Sequence, residues 1–166
     1  VIKGGEYRRW YGNNNYVINY ENNGKTICDY IDNTPGVNVK SNGRVINREY
    51  YFSGGITWGT VTSGNISMRH QPNGYVFEHA GGMIPFYTWN NKGKYVLALM
   101  NSKVAMAFLA FLSPTLRFTE GPVGQVPVIL NDNSTISTLV DLNELIAKKD
   151  WDSFETSWDF KRHPLV

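Results

Sequence analysis

Residues 95–112 carry Val96, Leu97, Leu99, Met100, Val104, Met106, Phe108, Leu109, Phe111 and Leu112, a helical pattern apolar on nearly every side. A helix without a polar face must be covered all round, so the rest of the chain has to supply its cover. The pattern begins at Lys94 and ends at Ser113-Pro114, because proline cannot continue a helix. Asn101-Ser102-Lys103 interrupts it, so the run over 94–112 is expected to be a central buried helix and not a membrane span. A chain of 166 residues is long enough to bury one such helix in a single core.

The first ninety residues have a different texture. Asparagines there and beyond outnumber the 16 glycines, and both residue types favour turns. β-Branched and aromatic residues predict strands at 16–20, 49–52, 56–62, 66–70, 75–78 and 83–87. Gly54-Gly55, Ser63-Gly64, Pro72-Asn73-Gly74 and Gly81-Gly82 punctuate them, which predicts a meandering sheet. Residues 21–47 read as mostly loop, with one short helix or strand near 27–31. Beyond the central helix, 116–118 and 126–130 read as extended. A second helix is expected over 134–149, with Ser134 as N-cap and Ile136, Leu139, Val140 and Ile146 as its apolar stripe. Lys148 and Lys149 suit its C-terminal dipole. The expected class is α+β: a twisted, mostly antiparallel sheet packed on a central helix, with a peripheral C-terminal helix. Residues 1–130 form the body, and 131–166 form the C-terminal helix and a Trp-rich segment.

Net charge is +2, unevenly spread. Residues 1–120 hold 12 Lys and Arg against 7 Asp and Glu, whereas 121–166 hold 4 against 7. Such a split is compatible with one surface facing nucleic acid and another facing protein. The single Cys28 excludes an internal disulfide framework, fits a reducing cytoplasm and reads as a small buried hydrophobe. There is no initiator Met, no signal-peptide pattern and no membrane-spanning run, so a cytoplasmic piece of a longer protein is expected.

Several phrases of the chain point to one family. They are KGGEYRRWYGNNNYVINYENNG at 3–24, YFSGGITW at 51–58, GYVF at 74–77, LALMNSK at 97–103, PTLRF at 114–118 and DWDSFETSWDF at 150–160. Together, from Lys3 to Pro164, they resemble the specificity region of the PglX family of adenine-specific DNA methyltransferases and its type IIG restriction-methylase relatives. LALMNSK also resembles the Leu-Leu-Asn-Ser-Lys helix of type I specificity subunits and TaqI-type recognition domains, where it braces the sheet. The chain departs from the family at Gly59, where Ser is usual, at Glu78-His79, where Asp is common, and at Ser113, which replaces Asn. The resemblance implies a target-recognition domain that reads double-stranded DNA. A methyltransferase domain of the same parent chain would use S-adenosylmethionine to methylate a flipped adenine. Other subunits of the phage-defence (BREX) system are further implied partners.

The chemistry of that parent is missing from this sequence. No two glycines are separated by a single residue, so the G-x-G turn of a cofactor domain cannot occur. None of the 7 prolines adjoins another, so the Asn/Asp-Pro-Pro-Tyr/Phe loop that holds the adenine is absent. His70, His79 and His163 lack metal-ligand spacing with each other or with Cys28. Asp159-Phe160-Lys161 lacks the Pro-Asp strand of a nuclease. The chain is therefore expected to have no catalysis, cofactor or metal of its own.

Arg8 and Arg9 stand beside Trp10 and Tyr11, with Asn13 and Asn14 close behind; Arg forks onto guanine or phosphate and Asn bridges the adenine edge. Trp10 itself reads as core. Thr57, Thr60, Thr62, Ser63 and Arg69 offer hydrogen-bonding groups from the strands, and Lys40, Arg44 and Arg48 form a further basic set. Trp151, Phe154 and Trp158 fall on one face if helical. Two other functions fit the same composition: a carbohydrate-binding module, which also uses Trp, Tyr and Asn, and a protein-interaction scaffold. Salt separates the first of these from DNA binding, since only phosphate contacts weaken steeply with ionic strength.

Overall fold

The computed structural model describes residues 1–131 and 133–165. It has the α+β class, with one antiparallel sheet of three strands and six helices among the described residues. The strands are β1 (Gly55–Gly59), β2 (Met68–Gln71) and β3 (Gly81–Pro85). Their order is β2-β1-β3, so the chain returns to the far side of β1 and does not meander. The helices are α1 (Glu21–Asn33), α2 (Ser41–Arg44), α3 (Asn91–Met100), α4 (Lys103–Leu112), α5 (Glu120–Gly124) and α6 (Ser134–Trp151).

Register gives the two sheet faces opposite characters. Ile56 pairs with His70 and Ile84, and Trp58 with Met68 and Gly82; these side chains meet the helices. Thr57 pairs with Arg69 and Met83 on the other face. Trp58 lies flat across β3, where a Cβ on Gly82 would sit 2.3 Å from the indole carbons. Its Nε1 donates to the Phe118 carbonyl at 2.6 Å, which draws the segment after α4 into the core.

Three of the expected strands are absent. Residues 16–20 lie outside any ladder, and a 3₁₀ turn (Arg48–Tyr50) entered through left-handed Asn47 replaces 49–52. Residues 75–78 make only a parallel bridge, Phe77 with Ile2. The segment 21–47 is more helical than its composition suggests. Asn22, Asn23 and Gly24 take left-handed conformations at φ 50°, 57° and 73°, residue types that bear this best, and ordinary helix follows.

The long apolar helix is broken. α3 and α4 meet at a 65° bend. Asn101 caps the end of α3, and the Ser102 hydroxyl accepts from the Ala105 N–H to start α4. The reason lies in the Asn101 side chain, which is buried against the β2 edge. Its Oδ1 accepts from the Met68 N–H at 3.0 Å, and its Nδ2 donates to the Met68 carbonyl at 2.9 Å. A side-chain amide thus completes a sheet edge that would otherwise stay open. Leu97, Met100, Ala105 and Leu109 enter the core with Ile56, Trp58, Ile66, Met68 and Val140. The outer half of α4 stays exposed.

α6 packs along α3, with Asn133 rather than Ser134 as its N-cap: the Asn133 Oδ1 accepts from the Thr135 N–H at 2.9 Å. Of the expected stripe, Val140 is buried and Ile136 packs on the core, but Leu139 and Ile146 face outward with Leu142 and Leu145. Ser137 and Trp151 complete the inward face. The helix ends at Trp151, so Phe154 and Trp158 do not share its face and are exposed.

Replacing Asn101 by Ala orphans a buried Met68 N–H, because the Met68 carbonyl keeps a second donor in Trp10 N–H. The expected loss is about 2–3 kcal/mol, read as a lower urea midpoint with unchanged slope. Unchanged stability would mean that the edge is held by the apolar contacts alone.

Candidate nucleic-acid interface

The N-terminal segment closes the polar face of the sheet. Trp10, at φ 74°, donates its N–H to Met68 and accepts from the His70 N–H, so it lies beside β2 as a parallel neighbour. Under it runs Arg69, whose side chain is buried. Nη2 donates to the Gly4 carbonyl at 3.2 Å and Nη1 to the Arg8 carbonyl at 3.3 Å. No carboxylate among the described residues pairs with it. Burial pushes its pKa down to about 10, and the charge of Arg8 adds to the fall. Arg69 is a strut for the N-terminal loop and is out of reach of a DNA groove.

Arg8 is also committed. Its Nη1 reaches Asp150 at 2.7 Å, its guanidinium lies 5.0 Å from the Trp151 ring centre, and its N–H donates to Ser67. Arg9 stacks over Tyr7 at 5.5 Å and is half-buried. Asn13, at φ 60°, donates to the Gly4 and Glu6 carbonyls, and Asn14 is buried. Thr57 donates to the Gly82 carbonyl at 2.9 Å and Thr60 to that of His79 at 3.3 Å, both from inside the fold. Thr62 turns its hydroxyl to the Gly64 N–H, which leaves Ser63 on the surface. Most of this set therefore shapes the fold.

The charge split is partly internal too. α6 is fastened by Asp141 to Lys94 at 2.7 Å, by Glu144 to His70 at 3.1 Å and by Asp150 to Arg8. His70 stacks on Trp89 at 3.8 Å between ring centres, which fixes its orientation toward Glu144. Lys148 holds both Asp152 and Asp159 at 2.7 Å. Burial works against its charge, but those carboxylates outweigh it and hold the Lys148 pKa above the ordinary value. The acidic tail end thus pairs partly with the body, through Asp141, Glu144 and Asp150, and partly within itself, through Lys148.

Lys40, Arg44 and Arg48 remain on the surface. They sit on the exposed lobe of α1, α2 and the 3₁₀ turn, and each gives part of its donor set to that lobe. Lys40 Nζ donates to the Asp32 carbonyl at 2.6 Å, Arg44 Nε to that of Val39 at 3.1 Å and Arg48 Nε to that of Val45 at 3.0 Å. Arg48 further reaches Asn23 and the Cys28 Sγ, which places Cys28 half-buried at the base of the lobe. Where the lobe faces the sheet edge there is a cleft of about 530 Å³. Arg44, Asn47, Tyr50 and Tyr51 line one side; Phe77, Glu78, His79, Met83, Pro85 and Glu120 line the other. Tyr51 meets Phe77 edge to face at 5.2 Å. His79 is 92% exposed at its side chain and lies 3.0 Å from Glu78. Asn47, Tyr50, Tyr51, Phe77 and His79 do not stand out as a group in the sequence. Only the Tyr50-Tyr51 doublet beside Arg48 could have signalled it, since the fold alone brings 44–51 to 77–85. Among the described residues no group of three His, Cys, Asp or Glu could hold a metal ion.

No family model matches the chain. Two curated proteins do. The adenine-specific methyltransferase BrxX of Escherichia coli O9:H4 (strain HS) is 36% identical over 167 aligned positions, covering 100% of this chain. The adenine-specific methyltransferase PglX of Lacticaseibacillus casei (strain Zhang) is 35% identical over 164, covering 99%. The chain is homologous to one segment of the PglX-type adenine-specific methyltransferases. It spans 13% of the length of each relative. In this chain the Leu97–Lys103 phrase has a visible task, because its Asn101 is the residue that docks the helices on the sheet.

Truncating Arg69 to Ala should cost about 2–4 kcal/mol, from an abandoned Arg8 carbonyl, a Gly4 carbonyl left with Asn13 alone, and lost packing. Arg8→Ala should cost about 1 kcal/mol, the worth of a partly exposed ion pair and a ring contact. Thermal melting measures both. Should the chain hold duplex DNA, neither variant is expected to change the salt slope; a slope reduced by about one in Arg8→Ala would make Arg8 a phosphate contact.

Proposed function

We propose that this chain is the target-recognition domain of a PglX-type adenine-N6 DNA methyltransferase, reading duplex DNA with no methyl transfer of its own. The observation that carries the reading is a conjunction. The whole chain aligns with a segment of adenine-specific methyltransferases, yet its sequence holds neither the G-x-G turn nor the Pro-Pro loop. A segment of such an enzyme without the chemistry is suited to choosing the substrate. S-adenosylmethionine would belong to the methyltransferase portion, where it supplies the methyl group.

The lobe and its cleft are the reading surface in this proposal. Lys40, Arg44 and Arg48 have donors left for phosphates, the contacts that give affinity and register. Asn47 has the amide that bridges the adenine edge, and Arg44 the fork that fits guanine. Glu78 and Glu120 can accept from the amino group of cytosine but would repel phosphate, which favours base edges over backbone inside the cleft. Tyr50 and Tyr51 offer flat faces beside them.

Fluorescence anisotropy of the chain with a duplex at several salt concentrations tests this. The expected Kd at physiological salt is on the order of 10⁻⁴–10⁻⁶ M, falling steeply as salt is removed. Replacing Lys40, Arg44 and Arg48 together by Ala should flatten the slope of log K against log salt by about 2–3. Nanomolar binding insensitive to salt, or micromolar affinity for S-adenosylmethionine, would contradict the proposal.

A further inference from the structure

α4 is apolar all round, but the fold covers only half of it. Ala105 and Leu109 are buried, whereas Val104 is 59% exposed, Phe108 41% and Phe111 84%. These three stand at i, i+4 and i+7, one stripe of the helix, and with Ala107 and Lys103 they line a shallow groove of about 530 Å³. No charged residue follows Lys103 in the helix. An apolar stripe of this kind on an otherwise satisfied helix marks a contact surface.

We propose that the outer face of α4 is the seat of the methyltransferase portion of a PglX-type enzyme, so that this chain docks on it through Val104, Phe108 and Phe111. Two observations choose this occupant. In BrxX and PglX the matching segment is 13% of the chain, so most of either protein lies outside it and has to meet it somewhere. The patch also has a fitting size. Its exposed side chains come to on the order of 300–400 Å², or about 600–800 Å² counted over both sides, the lower end of contacts between domains of one protein. A separate dimer buries about 800 Å² on each partner. A lipid surface fits less well: α3, the other half of the bent apolar pair, is committed to the core through Leu97 and Met100. A single lysine at the groove gives no polybasic rim. The groove shares no residue with the cleft, so the inference rests on the family relation and not on which surface reads DNA.

Side-chain footprinting with hydroxyl radicals tests it. The chain alone is compared with the same chain placed in L. casei PglX instead of the matching segment. Labelling of Phe108 and Phe111 should fall at least fivefold in the fused protein, while exposed Tyr87 stays as it was. Equal labelling in both overturns the proposal. So does protection that arises in the chain alone on raising its concentration, which would mean a second copy, or on adding phosphatidylglycerol vesicles, which would mean a membrane. Should the fused protein fail to fold, the chain is titrated against the remaining PglX polypeptide expressed separately. Phe111→Glu should then weaken association at least tenfold without altering the chain's own melting or its affinity for duplex DNA. No association, or association indifferent to Phe111→Glu, overturns it equally. Lost DNA binding with docking intact would instead count against the recognition reading alone.

Discussion

One side-chain amide decides the architecture. Asn101 meets both backbone groups of Met68, so the end of α3 is fixed to the edge of β2. The same residue ends α3, because a side chain held against the sheet sets the direction in which the backbone leaves. Ser102 then starts α4 at 65° to it. The bend lets one apolar sequence serve two surfaces. α3 covers the sheet and receives α6, while α4 turns Ala105 and Leu109 inward and carries Phe111 outward.

The sheet is too small to stand by its helices alone. Three short strands leave a polar face, and the chain covers it with its own first residues. Buried Arg69 is affordable there because carbonyls, not carboxylates, receive it, and because Gly4 at φ 80° lets the loop come close. A Cβ on Gly4 would sit 2.8 Å from the Ala80 carbonyl oxygen. Trp10 and Asn101 together close the β2 edge, one by backbone and one by side chain.

Much of the fold was legible in the sequence. The apolar run, its proline stop and the turn-rich first half predict a sheet on a core helix, but they predict one continuous helix over 94–112, and the break at Asn101-Ser102 comes from a tertiary contact that local pattern does not show. What local pattern could not supply was tertiary. Arg69 looks like a surface strand arginine, since alternation says which residues share a face and not whether a loop covers it. Arg8 and Asp150 are far apart in sequence, so a charge split that reads as two binding surfaces is partly a set of internal ion pairs. The stripe of α6 misled for a related reason: Leu139 and Ile146 are periodic, but polar Ser137 takes an inward place against α3. Of the candidate DNA contacts, Lys40, Arg44, Arg48 and Ser63 stayed on the surface, and the residues facing Arg44 across the cleft come from 77–85 and from Glu120, far along the chain.

A domain swap tests the central claim that this chain chooses the sequence while its parent supplies the methyl transfer. The chain replaces the matching segment of L. casei PglX, and methylated adenines are mapped by genome sequencing beside the unaltered enzyme. Methylation should persist, at a different target sequence. Methylation persisting at the original target would contradict it, because the choice of site would then reside elsewhere in the enzyme.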